Sequence, residues 1–296
     1  MAIDKTFSQF CLGTVQFGKS YGLKNVRDKE IEDYEIKDIF DFFYSKGGMY
    51  IDTAQNYGNS EKRISKCLNQ DSRIISKLYL TDTHNQVEQL IYESLDNLKI
   101  ARLDTILIHN PEILLQAPKL IDDLIDLKER QLVNNIGISI YSFDDIPSNS
   151  FLANKDILSN IDVIQVQGNA FDKNFFLNKD FLSILNNNIR IDIRSIFLQG
   201  LLLQDIEPAL KLFPIYSDEL LDWHNYCLKN SLSKIEASIL NMPKIPNNND
   251  SLTLFGCRHL SEIDEIYKSI INLDDIKYER FSCDFPKALI DPRCWK

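Results

Sequence analysis

Alternation constrains this chain more than any other feature: short β-like runs separated by longer amphipathic stretches, eight times over. The runs are Cys11–Phe17, Met49–Thr53, Arg73–Leu78, Thr105–His109, Asn135–Ile140, Val163–Gln167, Arg190–Ile196 and Leu252–Gly256. Several are almost continuously apolar, the pattern of parallel strands covered on both faces. Between them, Val87, Leu90, Ile91, Leu95 and Leu98 recur at helical spacing behind a capping box, Thr83-His84-Asn85-Gln86. Leu120, Ile121, Leu124 and Ile125 share one face of a helix opening near Pro118. Ile36, Ile39, Phe40 and Phe43 form a third, stopped by Gly47-Gly48. Eight such units without a boundary between halves predict a (β/α)8 TIM barrel, one domain over residues 1–296. A doubly wound sheet is the alternative, but the glycine-rich dinucleotide fingerprint is missing after the first run.

Composition narrows the partners. Lys plus Arg total 33 against 43 Asp plus Glu, a formal charge of -10, which repels nucleic-acid backbones and anionic membranes. A small anion in a locally basic pocket remains compatible with it. No apolar run is long enough to span a bilayer, and the first residues lack the pattern of a secretory signal. Six scattered cysteines without a Cys-x-x-Cys pair read as reduced thiols of a cytoplasmic protein. The four histidines stand far apart, so no metal site is expected.

In a parallel barrel all strands end on one face, and the polar residues at these ends fall into a pattern. The second run ends at Asp52 with Tyr57 on its loop, the third near Lys77, the fourth at His109. Taken singly, each has a plain structural use: a turn cap, a surface aromatic, a solvated strand end. Together they suit proton donation to a carbonyl during hydride transfer. A tyrosine with a pKa of about 10 is a poor acid near neutrality; an ammonium beside it lowers that value, and Asp52 would hold Lys77 charged and in position. His109 would orient the substrate oxygen.

These residues resemble those of the aldo-keto reductase superfamily. The matching stretches are Asp52-Thr53-Ala54-x-x-Tyr57-Gly58-x-Ser60-Glu61, Ser76-Lys77, Ile108-His109, Asn135-Ile136-Gly137-Ile138-Ser139 and Gly256-Cys257-Arg258, reaching from about Leu12 to Ile266. The resemblance implies a barrel binding NADPH (or NADH) at its carboxyl face, without a metal. It also implies the catalytic set Asp52, Tyr57, Lys77 and His109, with Tyr57 as general acid. For the cofactor it implies Ser139 and Gln165 at the carboxamide, with Ile140 where an Asn is usual, so that Gln167 or Asn169 would help. Arg194 stands where many members stack a Tyr on the nicotinamide, followed by Ser195. Leu198 and Gly200 match the loop over the pyrophosphate. Gly256 and Arg258 match the ribose-phosphate site, and Glu265 the adenine side. Gln16-Phe17-Gly18-x-x-Tyr21-Gly22 resembles the first loop of bacterial members associated with sugar or surface-polysaccharide pathways.

The expected substrate is therefore a small carbonyl compound met by Gln16, Phe17, Tyr21 and Asn56, with Trp223 near. Packing of those aromatics between loop and barrel is the other possibility. Phe197–Pro214, which follows a strand, is the long segment expected to touch a ligand. Asn241–Asp250, which precedes one, reads as a solvated loop. The end Asp291-Pro292-Arg293-Cys294-Trp295 would either fold over the rim or stay exposed. A non-catalytic or regulatory NADP(H)-binding protein of the same fold is the alternative to the reductase.

Overall fold

A strand covered on both faces needs apolar side chains on both, and that is how the eight runs are used. The computed structural model describes residues 6–23, 30–80, 87–142, 154–184, 189–245, 250–273, 278–282 and 285–295. The capping box of residues 83–86 lies outside them. Strands β1 (Phe10–Gly13), β2 (Tyr50–Asp52), β3 (Arg73–Leu78), β4 (Leu103–Ile108), β5 (Val133–Ile140), β6 (Val163–Gln167), β7 (Arg190–Arg194) and β8 (Thr253–Gly256) form a closed parallel barrel in chain order. β8 pairs back on β1, Gly13 lying opposite Gly256.

Strand residues alternate between the barrel interior and the helix layer. Cys11, Ile75, Leu107, Val163, Leu252 and Leu254 pack together as one apolar cluster. Gly137 on β5 makes their fit possible, since a Cβ there would stand 2.6 Å from Leu107 Cδ2 and 2.3 Å from the Val163 carbonyl oxygen. The alternate residues, such as Leu12, Ile51, Ile74, Ile106, Ile136 and Ile164, pack in a second cluster with residues of the helices Asp33–Ser45, Val87–Leu98, Leu120–Glu129 and Leu260–Asn272. Each such buried side chain contributes about 1.5–3 kcal/mol relative to exposure. Asp192 on β7 is also fully buried, 3.1 Å from Arg190 Nη2 and accepting from the Leu252 amide. Burial pushes its carboxyl up to about 6 against the pull of Arg190.

Two runs end earlier than their apolar content predicts. The first leaves the sheet after Gly13, because Thr14 turns to bond the Asp52 carbonyl through both its amide and its hydroxyl; Val15–Gly18 then forms a helical turn. The seventh stops at Arg194, where Ser195 takes a left-handed φ of 63°. The asparagine-rich segment also departs from a purely solvated loop. Asn241 is fully buried after the helix Lys234–Leu240, donating to Ala237 and Tyr226 and accepting from the Phe281 amide. The chain end folds over the rim: Phe285 stacks on Phe171 at 3.9 Å, Trp295 meets Phe213 at 5.0 Å, and Gln167 donates to the Ile290 carbonyl at 2.8 Å. Among the described residues no helix is long and apolar enough to cross a membrane.

Candidate active site

The carboxyl ends of β2, β3 and β4 deliver the polar set. Lys77 and Asp52 are almost completely buried, with Lys77 Nζ 2.5 Å from Asp52 Oδ1. The ammonium also donates to the Thr53 carbonyl at 2.9 Å and reaches the Tyr57 hydroxyl at 3.4 Å. A buried charge pair is stable only when its remaining donors and acceptors are met, and here the second Asp52 oxygen accepts from Gln165 Nε2 at 2.9 Å. Burial works against the Lys77 charge, but Asp52 and Tyr57 outweigh it and hold its pKa above the ordinary value.

Tyr57 is held by its loop rather than by a strand. Its amide bonds the Ala54 carbonyl and its own carbonyl accepts from Ser60. Gly58 has a φ of 64°, with the site of a Cβ 2.3 Å from the Gly18 carbonyl oxygen. The helix Ser60–Ile64 is pinned from below, Ser60 Oγ to the Thr14 carbonyl and Glu61 to Ser76 and Asn97. Ser60 and Glu61 thus act on the loop's position. Burial pushes the Tyr57 phenol above its ordinary value and outweighs Lys77. The expected lowering by the ammonium is present but is the smaller effect. His109 stands edge-on to Tyr57, ring centroids 6.4 Å apart, and its Nδ1 is buried with no partner among the described residues. Burial, then Lys77, Arg194 and Lys19, lower its pKa to about 3, so the imidazole is neutral.

Beside this set opens a cavity of about 290 Å³. It runs from Asp52, Tyr57 and Arg194 along Ser195 and Gly200 to Gly256 and Arg258, with Gln16 and Tyr21 on the first-loop side. Burial pushes the Tyr21 phenol up to about 12. The segment after β7 carries left-handed residues at Ser195, Leu198, Gln199 and Gly200, and the Leu23 amide bonds the Gln199 carbonyl, joining first loop to seventh. Gln16 Oε1 is buried there without a partner among the described residues, 2.6 Å from where a Gly256 Cβ would stand.

Other expected residues lie elsewhere. Ser139 and Gln165 are buried below the cavity, Ser139 Oγ 3.5 Å from Gln165 Oε1, and Gln165 is engaged with Asp52. Gln167 donates to Asp172 and Ile290, and Asn169 to the Ser195 carbonyl. Leu198 is fully buried in the core and does not line the cavity. Phe17 is 1% exposed and packs against Phe40; Trp223 is buried, donating to the Leu202 carbonyl. Both fill space between loop and barrel rather than the cavity. Asn56 is exposed on a shallow surface with Gln55 and Tyr79. Glu265 is exposed and does not line the cavity; Glu262, one turn earlier, does, and accepts from the Arg258 amide at 2.7 Å. Gln199 and Gln204 line the cavity from within Phe197–Pro214, the segment expected to touch a ligand, whereas Glu262 is a lining residue that the sequence reading missed.

Comparison with known proteins bears on the whole arrangement. The Aldo/keto reductase family model matches residues 9–274. The chain is 28% identical over 154 residues to norsolorinic acid reductase B of Dothistroma septosporum, a match covering 45% of this chain and 38% of that protein. It therefore spans well under two thirds of that relative's length. Among solved structures, an aldo-keto reductase from Bacillus halodurans in its holo form superposes with a TM-score of 0.67 at 15% identity, covering 97% of this chain and 92% of that one. An aldo/keto reductase from Klebsiella pneumoniae, in complex with NADP and acetate, gives 0.63 at 14% identity over 93% and 94%. At such identities the likeness concerns the fold.

Proposed function

Because this chain belongs to the aldo/keto reductase family and is an oxidoreductase, we propose that it uses NADPH to reduce a small aldehyde or ketone, with the proton coming from Tyr57, in one barrel domain over residues 1–296. The observation that carries the reading is the buried Asp52–Lys77 pair, with its ammonium 3.4 Å from the hydroxyl of a cavity-facing tyrosine.

The cavity suits a nicotinamide dinucleotide. It holds an orphaned acceptor, Gln16 Oε1, and a glycine at position 200 with nothing within 4 Å of its missing Cβ. Arg258 with the Gly256 backbone offers a place for the ribose phosphate, the Gly200 backbone for the pyrophosphate, and Ser195 for the nicotinamide end. Gln165 would turn its amide nitrogen to the carboxamide only by rearranging its bond to Asp52. The NADP of the Klebsiella relative supports the choice of cofactor. When bound, the cofactor supplies the hydride.

The protein's own residues do the rest. Tyr57, its pKa raised, keeps its proton at neutral pH and hands it to the carbonyl oxygen as negative charge develops there. Lys77 then faces the phenolate, and Asp52 keeps Lys77 charged and aimed. Neutral His109 orients the substrate oxygen.

Tyr57→Phe is expected to cut aldehyde reduction by about 10²–10⁴-fold while NADPH binding, followed by fluorescence, stays nearly unchanged. Undiminished turnover in that variant would remove Tyr57 from its role.

A further inference from the structure

Around Tyr57 the local charge is opposite to that of the molecule. The chain carries -10 overall, yet cations border the phenol. Lys19 Nζ lies 5.5 Å from the Tyr57 ring centroid and donates to the Asn56 carbonyl. Arg194 lines the cavity that Tyr57 faces, bonding the Ile140 carbonyl and Ser195 Oγ at 3.1 Å each, with its guanidinium carbon 4.6 Å from the Tyr141 ring centroid. Among the described residues neither Lys19 nor Arg194 pairs with a carboxylate.

The acids nearby are already engaged. Asp52 is held by Lys77 and Gln165, Asp172 by Gln167 and the Asn174 amide, Asp291 by Arg293, and Glu262 by the Arg258 amide. Tyr57 links the two cations: Lys19 Nζ lies over its ring, and Arg194 lines the cavity that Tyr57 faces. Lys77 needs no further anion, since Asp52 neutralises it. Two cations near Tyr57 without a carboxylate partner among the described residues are a recognition element for negative charge, and the contact with the Tyr141 ring limits where the Arg194 guanidinium can go.

We propose that the substrate is a carbonyl compound bearing an anionic group, a carboxylate or a phosphate, and that Arg194 and Lys19 hold this group while the carbonyl meets Tyr57. This rests on the reductase reading above. It separates the two ends of the substrate: one is chosen by charge at the mouth, the other by the proton donor inside.

Matched pairs test it with NADPH saturating: succinic semialdehyde against butanal for the carboxylate, and glyceraldehyde 3-phosphate against glyceraldehyde for the phosphate. One charge-assisted contact gives a preference in kcat/KM of about 10–100-fold for an anionic member, and the pair showing it names the anion. Arg194→Met and Lys19→Met should each shrink the ratio, and Arg194→Lys should restore part of it. A ratio near one in the unaltered enzyme for both pairs overturns the proposal. So does an unchanged ratio in Arg194→Met with a large rise in the dissociation constant for NADPH, which would give that cation to the cofactor instead.

A calorimetric arm keeps the two readings apart: 4-hydroxybutyrate against 1-butanol, titrated into protein with NADPH. Anion-selective binding that the Met variants abolish, without turnover of any aldehyde, would sink the reductase reading and leave the charge assignment standing. Equal or absent binding of the two alcohols, without turnover, overturns both.

Discussion

His109 shows how one side chain reports on its surroundings. Its folded pKa of about 3 lies below the ordinary histidine value of about 6.5. Between those values the unfolded chain takes up a proton that the folded one refuses. The contribution of His109 to stability is therefore fully present above pH about 6.5 and is lost as pH falls toward 3, by up to about 1.4 kcal/mol per pH unit. Asp192 acts with opposite sign: its folded pKa of about 6 stands above the unfolded value, so its contribution is lost as pH rises through that range. The measurement that isolates His109 is a difference. Urea unfolding of wild type and His109→Gln at neutral pH and near pH 4 should show the wild type losing more on acidification; equal losses would mean the imidazole is not held neutral. Residue types at strand ends were legible in the sequence here, because Asp52, Lys77 and His109 interrupt apolar runs. The sign of the Tyr57 shift was not, since it depends on how much water the surrounding loops remove.

At the scale of elements, the site depends on two loops touching backbone to backbone. Gly18 follows the turn after β1 and Gly58 follows Tyr57, and a Cβ on Gly58 would meet the Gly18 carbonyl oxygen at 2.3 Å. With φ at 64°, Gly58→Ala should cost about 1–3 kcal/mol in stability and move the loop bearing Tyr57. A displacement near an ångström costs catalysis about 10²-fold, so kcat should fall by more than the unfolded fraction explains. If the decline merely follows the unfolded fraction, Gly58 shapes the fold and not the site. The barrel strands were readable from apolar runs; where β1 and β7 end was not. Those ends are set by Thr14 bonding across to Asp52 and by the left-handed turn at Ser195, neither of which is encoded in hydrophobic pattern.

Over the whole molecule, the chain end is part of the rim. Leu289 is fully buried, Trp295 Nε1 donates to its carbonyl at 3.0 Å, and Ile290 receives Gln167. Leu289→Ala should lower the unfolding free energy by about 2–5 kcal/mol, read from the urea midpoint; an unmoved midpoint would show that this segment does not dock. From the sequence alone follow the barrel, the polar residues on one of its faces and the match to aldo/keto reductases, since continuous apolar runs, helical spacing and strand-end polarity are local properties of the chain. Only tertiary structure decided that Gln165 is bound to Asp52, that Phe17 and Trp223 are core, that Glu262 and not Glu265 lines the cavity, and that Lys19 lies over Tyr57 while Arg194 lines the cavity Tyr57 faces. Each depends on which way a loop or helix turns once packed, and packing is decided by neighbours far away in sequence.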